Sequence, residues 1–303
     1  MKHGFLILTH LAPVKILDQV KRMQSGDHYF FIHFDKKQVL DTEDAAYKEL
    51  VASANVHILS DRIGVQWGSF SIVAATIALM RAALKQKDIG YMHLMSGECL
   101  HVKPMSYVHQ YFEQHNGKEF LHHFVMPEKS NEHSYTHRRL DKYHLHIYFN
   151  PRSPKLKDKA IKVLNDSLRR LQRVLKPLGI YRRYPAGYPK LYAGIAWWSL
   201  TYNACKYIVD YVDQHPDFYQ RFKYVQLPDE IFFQTVIMNS PYAANVVNDN
   251  VRFQDFKNAI SNANPMTEEH KPDLANENVL FARKFTPVSK ELLAYLDKNV
   301  YKG

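Results

Sequence analysis

Three charged side chains in the last third of the chain are of the types needed to move a group between oxygens. Glu230 lies in "VQLPDEIFFQT" (225–235), Arg252 in "NDNVRFQDF" and Lys284 in "LFARKF". A carboxylate can take the proton from an attacking hydroxyl. Arginine grips phosphate oxygens through a two-pronged fork, and lysine adds a mobile point charge. A basic side chain inside an apolar stretch must find an anion, because an unpaired buried charge is unfavourable. Each has a plain reading as well. Arg252 and Lys284 can form salt bridges or be exposed at a strand edge. Pro228 suits the first turn of a helix, where Asp229 and Glu230 complement unsatisfied N–H groups. Asp229 is expected to cap that helix or to orient the loop and its neighbour.

The elements that must position these residues alternate. "GFLILTH" (4–10), "HYFFIHFDKK", "NVHIL" (55–59) and "IGYMHLMSG" (89–97) read as strands. Helical stretches at 13–24, 43–52 and 69–86 fall between them. This order predicts an α/β fold with a parallel or mixed sheet and helices on its faces. Ligands of such sheets bind where strands end, and "HFDKK", "SDRIGVQWGS" and "SGECLH" fall there. The sheet pattern resumes at "AWWSLT" (196–201), a helix over 202–214 and "AANVVND" (243–249).

Between 126 and 190 the chain turns polar, rich in His, Arg and Tyr, and reads as an excursion from the sheet. Within it, 154–176 is a basic amphipathic helix with Leu164, Leu168, Leu171 and Leu175 on one side. That helix fits either a solvated face or contact with an anionic membrane. Tyr188, Trp197 and Trp198 belong to an aromatic-dense stretch whose rings can stack on sugars or fill a core. Adjacent strand residues face opposite ways, so one of the two tryptophans is expected to line a site.

The 303 residues carry a formal charge of +10, which favours anionic partners. With 46% hydrophobic residues the chain is folded, and two cysteines, Cys99 and Cys205, cannot build a disulfide framework. The N-terminal apolar run is cut by His10 and Pro13, and no run is long enough to span a bilayer. A cytoplasmic location, peripheral to the inner face of the membrane through 154–176, is the expectation. No Asp-x-Asp pair, P-loop or GxGxxG is present, and no histidine pair, His144 and His146 included, sits at a zinc-motif spacing beside cysteines.

Taken in order, "FLILTH", "FIHFDKK", "VQWGSFSIVAATIALMRAAL", "YMHLMSGECLHVKP", "AGIAWWSLT", "LPDEIFFQTVIMNSP", "VRFQDF" and "LFARKF" resemble the core-2/I-branching β-1,6-N-acetylglucosaminyltransferase family. That family includes the peptide xylosyltransferases, and this chain looks like a bacterial member. The resemblance implies a glycosyltransferase A-type fold over 1–303: a Rossmann-like nucleotide-sugar half (1–104), a variable acceptor-side insertion (105–190) and a catalytic half (191–303). It implies inverting, metal-independent transfer of a sugar, GlcNAc or xylose, from a UDP-sugar to a hydroxyl of a glycan or lipid-linked glycan. Carried onto this sequence, the family's base falls on Glu230, and its diphosphate-binding pair on Arg252 and Lys284. The His-x-Asp near the donor nucleoside falls on His33, Phe34 and Asp35, and the tryptophan-glycine pair on Trp67 and Gly68. Asp61, Arg62, Ser96 and Gly97 complete the expected donor set, and no cofactor beyond the UDP-sugar co-substrate is implied.

The chain departs from the family in one loop. Relatives typically read Ser-Gly-x-Asp-x-Pro, whereas Ser96 and Gly97 are followed here by Glu98, Cys99, Leu100 and His101. Cys99 supplies no carboxylate, and Glu98 is expected to point elsewhere. The rival reading is a non-catalytic basic protein docking on nucleic acid or anionic glycan; the enzyme reading expects no nucleic acid. A third is a hydrolase of the same fold releasing the sugar to water.

Overall fold

The computed structural model describes residues 1–126, 139–140, 142–144, 156–180, 182, 184–185, 187–257, 259 and 262–301. Its first half follows the alternation: β1 (Lys2–Thr9), α1 (Pro13–Met23), β2 (His28–Phe34), α2 (Ala45–Ala52), β3 (Val56–Ile58), α3 (Phe70–Ala83) and β4 (Ile89–Ser96). Short pieces come next: β5 (Leu100–His101), α4 (Met105–Gln114), β6 (Glu119–Phe120) and β7 (Phe124–Val125). The basic helix α5 (Leu156–Leu175) precedes β8 (Tyr192–Ala193), β9 (Ser199–Thr201), α6 (Tyr202–Gln214), α7 (Pro216–Arg221) and α8 (Phe232–Met238). The chain ends with β10 (Val246–Val247), β11 (Arg252–Gln254), α9 (Lys271–Ala275), β12 (Phe281–Arg283) and α10 (Lys290–Asn299).

Seven strands form one mixed sheet in the order β10-β6-β9-β4-β1-β2-β3. β4, β1, β2 and β3 run parallel, and β9 is antiparallel to β4. Side-chain alternation divides the core. Phe5, Ile7, Phe30 and Ile32 pack with Ile16, Val20 and Met23 of α1 on one face. Leu6, Phe31, Met92 and Leu94 pack with Val73, Ile77 and Met80 of α3 and with α6 and α8 on the other. A second sheet, β11-β12-β5, packs on α9 and α10. Because β1 to β3 step one way and β4 lies on the opposite side of β1, the strand order reverses between β1 and β4. That is the crevice position at which open α/β sheets bind ligands.

Beneath the sheet lies a group of histidines with no counterpart in the sequence reading. His3, His28 and His93 are buried and, with His109 of α4, form two hydrogen-bonded pairs: His3 Nδ1 to His93 Nε2 at 3.0 Å and His28 Nε2 to His109 Nε2 at 2.6 Å. His28 Nδ1 donates to the Met23 carbonyl at 2.5 Å, so its Nε2 is the acceptor from His109. Burial lowers all four, His28 to about 4, and they stay neutral in the fold.

Candidate active site

The acid pair sits on a turn rather than on the helix expected for it. Pro228–Glu230 forms a single 3-10 turn, Ile231 breaks the geometry (φ −128°, ψ −42°), and α8 begins only at Phe232. Asp229 makes no capping hydrogen bond to either element, which corrects its assignment as a cap. Leu227, in the left-handed region (φ 50°), turns the chain into this site and donates its N–H to the Gly68 carbonyl at 2.8 Å. Gly68 itself has φ +71°, a conformation that side chains rarely adopt, and an added Cβ would lie in ordinary contact with Leu227. The Trp67-Gly68 motif therefore braces the acid turn from the start of α3, while the Trp67 ring stays exposed.

Asp229 and Glu230 occupy different environments. Asp229 is buried, and its Oδ1 has no hydrogen-bond partner among the described residues. Burial, and then the neighbouring Glu230 charge, push its carboxyl up to about 7. Glu230 is one-third exposed, and its Oε2 receives a hydrogen bond from Arg139 Nη1 at 2.7 Å. Arg139 is buried and comes from the region the sequence shows only as a polar crowd. Nothing local in the sequence signals this pair, whose partners lie 91 residues apart.

From the acid turn the segment 194–198 leads to Arg252, one of the two expected cations. Gly194 N–H donates to the Glu230 carbonyl at 2.8 Å. A side chain at Gly194 would collide with the His122 backbone, so the close approach requires glycine. At the other end of the segment, the Trp198 carbonyl accepts from Arg252 Nη2 at 2.8 Å. Trp198 is fully buried against Phe233 and so cannot stack on a ligand. The half-buried Trp197 lies under the Arg283 guanidinium at 4.7 Å. Tyr188 makes edge contacts with Tyr184 and Phe218.

Arg252 fits neither plain reading. It is buried, follows Val251 in the left-handed region (φ 52°), and meets no carboxylate among the described residues. Its guanidinium donates to the carbonyls of Asn250 (2.5 Å), Leu94 (3.3 Å) and Trp198 (2.8 Å), and stacks 5.0 Å from Phe281. Burial pulls its pKa down to about 10, which still leaves the cation in place at neutral pH. The result is a fixed positive charge joining β4, β9 and β11. Lys284, just beyond β12, is partly exposed and faces Glu98 Oε2 at 3.9 Å. Glu98 thus points at the lysine, contrary to the sequence expectation.

The remaining donor candidates fall at or just past the carboxyl ends of β2, β3 and β4. Gly97 N–H donates to Leu8 at 3.1 Å, and its missing Cβ leaves room for Thr9 Oγ1 and Ile16. Cys99 turns its sulfur inward, 3.2 Å from Ser96 Oγ, so it closes the loop on itself. His101 is buried and bonded to the carbonyls of Lys103 and Arg22. Asp35 accepts from the N–H groups of Lys37 (2.9 Å) and Val65 (3.2 Å). Arg62 donates to the carbonyls of Phe34, Asp35 and Gln38. His33 is buried and accepts from Ile63 N–H at 2.9 Å. Phe34 is wholly inside the core, so His33 and Phe34 shape the 60–65 loop rather than reach a ligand. Beside them opens a cleft of about 410 Å³ lined by Lys36, Ser60, Asp61, Arg62 and Ile63.

No group of three or more His, Cys, Asp or Glu side chains is arranged to hold a metal ion among the described residues. His146 and part of the expected acceptor region, 127–138 and 145–155 in particular, lie outside the described residues.

Comparison with known proteins places this arrangement in context. The sequence model of the Core-2/I-Branching enzyme family matches residues 4–280. Xylosyltransferase 2 of Mus musculus is 24% identical over 98% of this chain, and xylosyltransferase sqv-6 of Caenorhabditis briggsae is 23% identical over 80% of it. The chain spans about a third of the length of these curated relatives (33% and 29%). The crystal structure of mouse xyloside xylosyltransferase 1 in its apo form aligns with 95% of this chain and 98% of that one, at 11% identity and a TM-score of 0.39.

Proposed function

The chain belongs to the Core-2/I-branching enzyme family, and from that premise we propose that it is an inverting glycosyltransferase moving a sugar from a UDP-sugar to a hydroxyl of a glycan acceptor. Xylose is the first candidate sugar, after the names of the relatives, and GlcNAc the second. The observation that carries the reading is the continuous set of contacts from Glu230 through Gly194 and Trp198 to Arg252. Lys284 faces Glu98 in the loop that Ser96-Gly97 opens at the end of β4, where the proposal puts the nucleotide.

In this mechanism the acceptor hydroxyl attacks the anomeric carbon as its proton passes to a Glu230 oxygen. The bond to the diphosphate breaks on the opposite face, and UDP leaves with the electron pair. Lys284 contacts the diphosphate directly, exchanging Glu98 for phosphate oxygens. Arg252, tied to three carbonyls, contributes a fixed positive field at little reorganisation. Two protein cations then take the task a divalent ion has in metal-dependent transferases. The cleft lined by Lys36, Asp61 and Arg62 receives the nucleoside.

UDP release from UDP-xylose and UDP-GlcNAc, with and without candidate glycan acceptors, tests the reading. Acceptor-dependent UDP release that persists in excess EDTA is the expected result. Strict dependence on added divalent metal would overturn the metal-free mechanism, and acceptor-independent release at full rate would assign a hydrolase. Calorimetric titration separates the cations. Lys284→Ala is expected to weaken UDP binding by about tenfold to a hundredfold, as loss of one charge-assisted phosphate contact does. Arg252→Ala is expected to weaken it as well and also to lower the melting temperature, because three carbonyls lose their donor. Unchanged UDP affinity in Lys284→Ala would remove that residue from the donor site.

A further inference from the structure

Helix α5 uses only part of its apolar surface against the rest of the protein. At about 100° per residue, Ile161, Asn165, Leu168, Gln172 and Leu175 form one stripe. Ile161 in this stripe is buried and the other four are partly buried. Gln172 clamps Tyr143, donating to its carbonyl at 3.1 Å and accepting from its N–H at 2.6 Å. The next sector around the helix carries Leu164, Leu171, Val174 and Val163, which are 49%, 54%, 68% and 64% exposed. Leu178 and Ile180 extend the apolar strip past the helix end, both exposed. The remaining sector carries Lys159, Lys162, Arg169, Arg170 and Arg173, all exposed, with Asp166 beside Arg169 at 3.6 Å. Across 156–176 there are seven basic residues against two acidic ones.

We propose that this outer face docks on an anionic lipid surface. An open apolar strip adjoining a basic strip is what an interfacial helix needs: the first enters the acyl boundary while the second meets acidic headgroups. Other occupants fit one half of the face only. A nucleic acid offers nothing to Leu164, Leu171 and Val174, and the helix has no aromatic residue on which a base could stack. A second copy across a two-fold axis would bring one basic sector against another. Among the described residues no helix is long and apolar enough to cross a membrane, so the contact is peripheral.

The placement of α5 bears on the substrate. Tyr143, held by Gln172, packs edge-on against Tyr224, and His144 N–H donates to the Tyr224 carbonyl at 3.0 Å. Four residues before Tyr143, Arg139 reaches Glu230. A docked α5 therefore holds the acid turn close to the bilayer. Resting on the transferase reading above, this makes the acceptor a hydroxyl carried on a membrane-borne molecule, a lipid-linked glycan.

Co-sedimentation of the full chain with lipid vesicles tests the docking without any measure of transfer, so its failure is distinct from failure of the transferase reading. Vesicles of phosphatidylcholine alone are compared with vesicles in which part is replaced by phosphatidylglycerol. The expected result is pelleting with the anionic vesicles only, weakened by salt. A variant with Arg169→Gln, Arg170→Gln and Arg173→Gln is expected to lose on the order of a hundredfold in partitioning, about tenfold or less per charge. A variant with Leu164→Ser, Leu171→Ser and Val174→Ser is expected to lose binding at physiological salt while keeping the wild-type melting temperature. Pelleting that neither variant alters, or none with anionic vesicles, would overturn the proposal. So would self-association abolished by the serine variant, which would assign the face to a second copy, or tighter binding to an oligonucleotide.

Discussion

Glu230→Gln is expected to reduce the transfer rate by about a hundredfold to ten-thousandfold, the usual range for loss of a general base. UDP affinity is expected to stay within a few-fold of wild type. The asymmetry follows from geometry. The substitution keeps the volume of the side chain and leaves a carbonyl oxygen able to accept from Arg139 Nη1, which now sits 2.7 Å from Glu230 Oε2. The contact between Gly194 N–H and the residue-230 carbonyl is a backbone contact and is untouched. Lys284, which contacts the diphosphate in the proposed mechanism, and Arg252, which adds its fixed field, lie outside the acid turn. Proton acceptance is therefore what is lost. UDP release under saturating donor, set beside calorimetric UDP binding, separates the two quantities. Activity within a few-fold of wild type would remove Glu230 as the base.

Asp229→Asn is expected to behave in the opposite way. It should retain transfer within a few-fold and gain stability above neutral pH. Asp229 has a folded pKa of about 7 against an ordinary value of 3.8. A carboxyl raised in this way contributes stability that is fully present below its unfolded pKa and is lost as pH rises through the folded one. Above pH 7 the wild type bears the whole ionisation penalty, up to about 4 kcal/mol at 1.36 kcal/mol per pKa unit. The amide resembles the neutral acid and escapes that penalty. Urea unfolding at pH 8 is expected to favour the variant by a few kcal/mol, with the gain shrinking towards pH 4. A variant less stable than wild type at pH 8, or a difference independent of pH, would show that the buried carboxyl is compensated by a contact the amide cannot make. The two substitutions together assign one acid to chemistry and the other to a buried support beneath it.

The parallel half of the sheet was legible because its strands are long enough for their pattern to show. β1, β2 and β4 run seven or eight residues each, and α1 and α3 fall where the apolar spacing predicts them. Strands such as β5, β6, β7 and β10 have only two residues, too few for any period to register. The boundary error at Pro228 has a physical cause as well. Proline and two acids are favoured at the start of a helix, but they suit a 3-10 turn equally, and Ile231 breaks the run.

The site was legible in its residue types and less so in their surroundings. Arg252 and Lys284 stand out for their charge within apolar runs, yet charge alone does not say that backbone carbonyls hold Arg252. Glu98 lies beside Cys99 in sequence, which says nothing of its direction once the chain turns past Ser96 and brings it to face Lys284. Arg139 had no signal, since its partner is distant in the chain. The histidine group did have one. His3 with Phe5 and Ile7, His28 with Phe30 and Ile32, and Tyr91 with His93 and Met95 alternate on single strand faces, which marks each histidine as inward.

A thermal-shift screen in excess EDTA decides whether this fold binds a uridine diphosphate sugar, as the proposed transfer requires. UDP, UDP-xylose, UDP-GlcNAc and UDP-glucose are compared with adenosine and guanosine diphosphates and with an oligonucleotide. A ligand bound only by the native state at about a hundredfold its dissociation constant raises the melting temperature of a chain this size by roughly 4 °C. Such a rise is expected with UDP and at least one UDP-sugar, absent with the other nucleotides and reduced in Lys284→Ala. No shift with any uridine nucleotide, together with salt-sensitive stabilisation by the oligonucleotide, would contradict it and favour a non-catalytic basic binding protein.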